Sequence, residues 1–349
     1  MMAEEELRTG RIPRFDSSSA KETRTYIETL TKPPGSLGRL EEIAIELAGI
    51  TKKPFPVVDP PGILVFAADH GIAAEGVSAF PQEITGQMAQ NFLRGGASIN
   101  VLARQIGAAF QLIDIGMAQD IQDPMLISRK IKTGTANFLT NDAMTRQETI
   151  KAVHTGFDEA TIFIKENGLN SLILGEMGIA NTTASSAVIA ALGNLAPESV
   201  TGQGTGLSPD QVLHKQNVIR QAFKTHTFST DDPIDVLSKV GGLEIAGMTG
   251  AMLAAATQRT PILIDGFISS TAAVAAAKLE PAITDFMFVG HHSTEPGHRV
   301  ANEWLNKEPI LHLGMRLGEG SGASLAYPIL QSACAIVHEM ATFRDLENY

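Results

Sequence analysis

Along this chain, short runs of apolar residues end in polar, glycine-bearing loops, and most of those loops open into longer alanine-rich stretches. Gly62-Ile-Leu-Val-Phe-Ala67 runs into Asp69-His70-Gly71, and Phe110 to Ile115, Ser171 to Leu174, Pro261 to Asp265 and Asp285 to Val289 follow the same grammar. A strand that is apolar at nearly every position is buried on both faces, so the pattern predicts an α/β fold: a Rossmann-like, mostly parallel sheet flanked by helices. Ligands of such sheets sit beyond the carboxyl ends of the strands. Helical patterning is expected over Ala20 to Leu30, Leu37 to Ile50, Gly96 to Ile106, Ala143 to Glu166, Thr183 to Ala191, Pro209 to Thr225, Leu243 to Thr257 and Ala323 to Glu339. The first two precede every strand and are joined by Lys32-Pro33-Pro34-Gly35, which forces a sharp turn. With the C-terminal helix they are expected to form a small helical domain, residues 1–56 and 325–349, beside an α/β body of 57–324. The start through Ser19 is expected to be frayed, and the chain shows no internal repeat or low-complexity tract.

At 349 residues, 44% of them apolar, the chain can bury one large core or two domains sharing a cleft. A formal net charge of −11 argues against nucleic acid as a partner, because phosphate backbones need a cationic face. An anionic small molecule would instead need a local site. Met1-Met-Ala-Glu-Glu-Glu6 carries acids where a secretory leader carries bases, and no apolar run is long enough to span a bilayer. A cytoplasmic protein with no membrane partner is expected. The single cysteine, Cys334, forbids an internal disulfide and reads as a small buried helical residue.

Candidate chemistry concentrates in Leu313-Gly-Met-Arg-Leu-Gly-Glu-Gly-Ser-Gly-Ala323, which sets one carboxylate, Glu319, among glycines at a helix start. The N–H groups of Gly320, Ser321 and Gly322 can point at a phosphate there. Capping is left to the Ser321 hydroxyl, so Glu319 reads as a group held for proton transfer. A second loop, Gly175-Glu-Met-Gly-Ile-Ala-Asn-Thr-Thr-Ala184, follows a strand and leads into a helix, a phosphate-cradle geometry with donors at Thr182 and Thr183. It lacks both the P-loop lysine and the GxGxxG spacing. A third, Val200-Thr-Gly-Gln-Gly-Thr-Gly206, precedes Lys215, which on spacing alone reads as a surface lysine. In Gly290-His-His-Ser-Thr-Glu-Pro-Gly-His298 the adjacent His291 and His292 point to opposite sides, and with no HxH or HExxH spacing no catalytic metal is expected. Ser293 and Thr294 there read as donors to an anion at a helix entry. Phe80, Met88 and Met177 are candidates to line a slot for a flat ring, although large apolar side chains are more often core.

Together these segments resemble the nicotinate-nucleotide:dimethylbenzimidazole phosphoribosyltransferase family, nearly end to end. The resemblance rests on Lys32-Pro-Pro-Gly-Ser-Leu-Gly-Arg-Leu-Glu41, Ala68-Asp-His-Gly-Ile72, Gly175 to Thr183, Lys239-Val-Gly-Gly-Leu-Glu244, Leu263-Ile-Asp-Gly-Phe267 and Met315 to Gly322. It implies the family's sheet, its small helical domain from both chain ends and a homodimer. The implied reaction moves the 5-phosphoribosyl group of nicotinate mononucleotide to an aromatic nitrogen, giving α-ribazole 5′-phosphate and nicotinate, in the lower-ligand branch of cobalamin synthesis. A pyridinium nitrogen leaves well, so orientation and a base suffice, with no cofactor. The resemblance makes Glu319 the catalytic base, in a slot whose apolar neighbours Leu317 and Met315 would raise its pKa. It places Glu176, Met177, Gly178, Asn181 and Thr182 in the nucleotide loop, Lys215 on phosphate, and Ser293, Gly318, Gly320, Ser321 and Gly322 around the phosphoribosyl group. On the acceptor side it places Phe80, Gln87 and Met88. Phe80 and Met88 stand where the family can carry smaller or polar residues, which leaves adenine, another benzimidazole or a phenol open as acceptor.

Two other readings compete. One is a metal-dependent hydrolase of a phosphorylated sugar using Asp69, His70, His291 and His298. The other is a non-catalytic protein that binds nicotinate mononucleotide, for which an ionisable Glu319 beside the sugar would be superfluous.

Overall fold

The computed structural model describes Leu7 and residues 9–347. The acidic opening, residues 1–6, lies outside the described residues. Six strands form one sheet: β1 (Pro61–Ala68), β2 (Ala109–Gly116), β3 (Leu126–Ser128), β4 (Ser171–Met177), β5 (Ile262–Ile264) and β6 (Met287–Val289). Their order is β3-β2-β1-β4-β5-β6, and every neighbouring pair is parallel. The order reverses between β1 and β4, so the crevice beyond their carboxyl ends is the place for a ligand. All of β1 is buried, as is β4 up to Met177, which is why both read as unbroken apolar runs.

The edges differ from the sequence reading. Pro281 begins a 3₁₀ turn through Phe286, which takes Asp285 and Phe286 out of β6. β5 is likewise shorter than the expected Pro261 to Asp265. β3 was not expected: three residues on an edge, only the first buried, leave too short a pattern.

Two helices, α1 (Ser17–Ile27) and α2 (Arg39–Thr51), precede the sheet, and α3 (Ile84–Leu93) and α4 (Ser98–Gln105) join β1 to β2. α5 (Arg146–Asn167) leads into β4; α6 (Asn181–Gly193), α7 (Pro209–Thr225), α8 (Pro233–Val240) and α9 (Leu243–Thr257) separate β4 from β5. α10 (Phe267–Leu279) joins β5 to β6, and α11 (Pro296–Leu305), α12 (Ser321–Glu339) and α13 (Phe343–Leu346) complete the chain. The expected fraying through Ser19 is not found in the described residues. Asp16 caps α1 by accepting the Ser19 N–H at 2.8 Å, its own N–H reaches Gly49 O at 2.9 Å, and Arg259 holds Arg14 O at 2.8 Å.

Small residues let the helices approach closely. A Cβ on Gly156 of α5 would lie 1.8 Å from Gly247 O on α9, and one on Gly250 would lie 1.8 Å from Val153 O on α5. The alanine-rich face of α10 is buried inside the chain against α9, α11 and α6. α1, α2 and α12 pack on one another, and their apolar residues Ile27, Ile43, Leu47 and Leu330 belong to the same continuous core as the sheet. α12 runs unbroken across residue 324, joining the glycine-rich loop at its start to the terminal helices. No helix among the described residues is long and apolar enough to cross a membrane.

Candidate active site

The carboxyl ends of β4, β5 and β6 and the loops after them line a narrow cleft of about 90 Å³. Of the residues singled out from the sequence, Glu176, Met177, Gly178, Asn181, Thr182, Ser293, Leu317, Gly318 and Glu319 line it.

Glu319 occupies a backbone conformation that side chains rarely adopt. Its φ is +65°, between Gly318 at +88° and Gly320 at +89°. Three successive left-handed residues turn the chain sharply, and the one non-glycine among them costs on the order of 1 kcal/mol of strain. The turn fits over β4 only because Gly175 has no side chain: a Cβ there would meet Glu319 O at 2.2 Å. On the same side, a Cβ on Gly318 would lie 2.4 Å from Glu176 Oε1. Glu319 is therefore buried, with Oε2 lacking any hydrogen-bond partner. Burial pushes its carboxyl up to about 7, helped by the charge of Asp265 and opposed by the Ile99 N–H in the first turn of α4.

Glu176, at the end of β4, is pushed up to about 8 by burial and by the nearby acids Glu244, Asp265 and Glu319. The shift favours its neutral acid, although the Glu319 N–H opposes it, and it takes a hydrogen bond from the Asn181 amide. Both carboxyls of the cleft are thus raised, Glu176 further than Glu319, the direction that favours Glu176 as hydrogen-bond donor and Glu319 as base.

The expected phosphate site at the start of α12 is corrected. Gly320 N–H donates to Asp265 Oδ2 at 3.1 Å, while Gly322 and Ala323 N–H donate to Oδ1 at 2.7 and 3.0 Å. Ser321 N–H goes to Gly318 O at 3.0 Å. An internal anion, Asp265, fills the position proposed for phosphate. Nor does Ser321 cap the helix, since its hydroxyl donates to Gly318 O at 2.6 Å.

The cationic side lies across the cleft. Lys215 is fully buried, not on the surface as its spacing suggested, and its Nζ bonds Thr182 Oγ1 at 2.8 Å. Burial lowers its ammonium to about 8, with Glu295 opposing the shift. Glu295 accepts the Gly204 N–H at 2.8 Å, and Arg316 donates to Gly204 O at 2.9 Å, so the Gly202–Thr205 turn is clamped from both sides. Thr205, Ser269, Glu295 and Arg316 also line the cleft and were not among the proposed ligand-binding residues, and His291, named only for the hydrolase reading, lines it as well. The signal that could have found Glu295 was its place at a proline-started helix; Asp265 was visible as an acid at a strand end before glycine.

The residues expected to line a flat-ring slot lie in different places. Met177 lines the cleft, but Phe80, Gln87 and Met88 do not: Phe80 is half exposed and Met88 packs against the core. Their segment touches the site through Thr85, whose hydroxyl accepts the Ile179 N–H at 3.1 Å. The hydrolase ligand set is not assembled either. His70 Nε2 bonds Glu244 at 2.8 Å in a fully buried pair, and His291 faces Asp265 at 3.6 Å. His298 bonds Ser270, Asn302 and His291 O, and burial lowers its pKa to about 4. Among the described residues no three acids, histidines or cysteines converge in a metal-holding group.

A family model described as phosphoribosyltransferase matches residues 12–347. The nicotinate-nucleotide–dimethylbenzimidazole phosphoribosyltransferase of Halalkalibacterium halodurans is 48% identical over 336 residues, 96% of this chain and 94% of that protein. The enzyme of the same name from Chloroflexus aurantiacus is 50% identical over 332 residues, 95% of this chain and 94% of its own. A crystal structure of the Thermus thermophilus enzyme superposes with a TM-score of 0.90 at 40% identity, covering 96% of this chain and 99% of that one. A second, of CobT from the same organism, gives 0.91 at 41% identity, covering 95% of this chain and 98% of that one. With nearly its whole length matched at 48–50% identity and its fold superposing on that of the solved enzymes, the chain belongs to the nicotinate-nucleotide–dimethylbenzimidazole phosphoribosyltransferase family.

Proposed function

We propose that this chain transfers the 5-phosphoribosyl group of nicotinate mononucleotide to 5,6-dimethylbenzimidazole or a related aromatic base, giving α-ribazole 5′-phosphate and nicotinate. The observation that carries the reading is Glu319: a buried carboxylate with a free oxygen, its pKa raised to about 7, in a cleft whose wall includes Arg316 and Thr182, with the buried Lys215 bonded to Thr182 behind it. A benzimidazole has one N–H and one lone-pair nitrogen. The lone pair attacks C1′ of the sugar, the C1′–pyridinium bond breaks, and its electron pair leaves on the nitrogen of nicotinate. Glu319 takes the proton from the other benzimidazole nitrogen, so the product is a neutral N-riboside and the carboxyl is recharged by losing that proton to solvent. Attack from the face opposite the leaving group inverts β to α.

The rest of the cleft serves position. Lys215, with Thr182, neutralises the 5′-phosphate, and its lowered pKa is restored when a dianion replaces the missing counter-charge. Neutral Glu176 donates to the nucleotide beside Asn181, Met177 and Gly178, Ser293 faces the phosphoribosyl group, and Leu317 covers the acceptor at the mouth. The terminal segments 1–56 and 325–349 act as a small helical domain; the packing of α1 and α2 on α12 supports this. A place in cobalamin lower-ligand synthesis, which the names of the relatives support, and a cytoplasmic homodimer complete the proposal.

The test is incubation of the protein with nicotinate mononucleotide and 5,6-dimethylbenzimidazole in the presence of a chelator, with products followed by mass. Formation of α-ribazole 5′-phosphate together with nicotinate is expected, and an acceptor panel then ranks the bases. Nicotinate release without the new nucleotide would point to hydrolysis, and binding without reaction would point to a sensor.

A further inference from the structure

Asp265 is more deeply embedded in the active-site backbone than its place at a strand end requires. It is 1% exposed, and its two oxygens take three N–H bonds, all from the loop and first helical turn that follow Glu319. Both oxygens are therefore acceptors, and His291 Nε2 at 3.6 Å faces the same group. Burial raises the Asp265 carboxyl, while His291 and the three N–H groups favour its ionised form. Donors on both oxygens favour the carboxylate form against the burial that raises it.

Glu319 needs such an anchor. Its left-handed φ is strained, and strain persists only where the surroundings over-determine it. Gly320, the next residue, gives its N–H to Asp265; Gly322 and Ala323 fix the helix start from which the turn springs. Gly175 leaves room for the turn, Ser321 closes it onto Gly318 O and the Glu319 N–H reaches Glu176, but Asp265 alone binds three successive-turn N–H groups at once, those of Gly320, Gly322 and Ala323. We propose that Asp265 is the positioning residue for the base, holding the Gly318–Gly320 turn so that the Glu319 carboxylate faces the cleft. This rests on the reading of Glu319 as the base.

Besides Asp265, the titratable and charged groups around Glu319 are Glu176 on β4, with Glu244 on α9 beyond it, His291 and Glu295 after β6, and Arg316 before the turn. Asp265 also raises the carboxyl of Glu319, which gives its role a signature beyond structure. In Asp265→Asn the negative charge is gone while an acceptor remains. The Glu319 pKa then falls, and the acid limb of the pH–kcat profile moves to lower pH. At the optimum, kcat drops about 10- to 100-fold from a displaced base, with KM for nicotinate mononucleotide within about threefold of wild type.

The experiment measures kcat, KM and the pH profile of Asp265→Asn and Asp265→Ser, alone and combined with Glu319→Gln. The expected result is the kcat loss with a shifted acid limb, and double variants no slower than Glu319→Gln itself. A kcat loss with an unmoved limb, a further loss in the double variants, or wild-type turnover would overturn the proposal. If both single variants fail to fold by circular dichroism, Asp265 serves the fold and the proposal is likewise overturned. Full activity of Glu319→Gln alone would instead remove the base reading, whatever Asp265 does.

Discussion

Glu319 and Glu176 show how one cleft gives two identical functional groups different work. Both are buried, but Glu176 sits among three other acids and is pushed to about 8, whereas Glu319 is helped by the Ile99 N–H and reaches only about 7. The direction of the difference favours Glu176 as the proton-holding partner and Glu319 as the group that gives up its proton first. Turnover of free enzyme should therefore fall tenfold per unit below pH 6, as Glu319 is protonated, and kcat/KM measured from pH 5 to 9 checks it. The strain at Glu319 gives a second expectation. Gly318 has φ +88° and no room for a Cβ beside Glu176, so Gly318→Ala should lower kcat at least tenfold while leaving the fold intact, read by steady-state kinetics beside a melting curve.

Elements place these residues, and here sequence and structure agree unevenly. β1, β2 and β4 and the long helices α5, α7, α9 and α12 were legible because each carries a sustained apolar pattern or a cap, such as the Thr145–Glu148 box that opens α5. The short strands β3, β5 and β6 were shifted or missed, since three residues of ladder leave almost no period. Glu319, Glu176 and the loop after β4 were legible as polar residues among glycines. The partner of the helix-α12 N–H groups was not: Asp265 is 55 or more residues away in sequence and meets them only through the sheet order. Lys215 was misjudged on spacing because burial of a lysine depends on Thr182 and Gly202, which tertiary packing brings to it. Close approach of β4 and the catalytic turn is also testable. Gly175→Ala puts a Cβ 2.2 Å from Glu319 O, so it should cost about 1–3 kcal/mol in stability and much of the turnover together, seen as a parallel loss in denaturant midpoint and kcat.

Across the whole molecule, a single core joins the terminal helices to the sheet, and the buried acids of the cleft are carried by it. They couple stability to pH. A carboxyl whose folded pKa lies above its unfolded value binds more protons in the folded state, so its contribution is full below the unfolded value and is lost as pH rises. For Glu176 that window runs from 4.5 to about 8. Melting temperature should fall across it, and Glu176→Gln should flatten that slope. Lys215 acts oppositely at higher pH, since its depressed pKa of about 8 lets stability recover as pH rises toward 10.5. The central claim, that the cleft performs phosphoribosyl transfer with Glu319 as its base, is tested most directly by Glu319→Gln. Nicotinate mononucleotide should bind within a few-fold of wild type, by calorimetry, while α-ribazole 5′-phosphate formation falls by roughly two to four orders of magnitude; unchanged turnover in that variant would contradict the account.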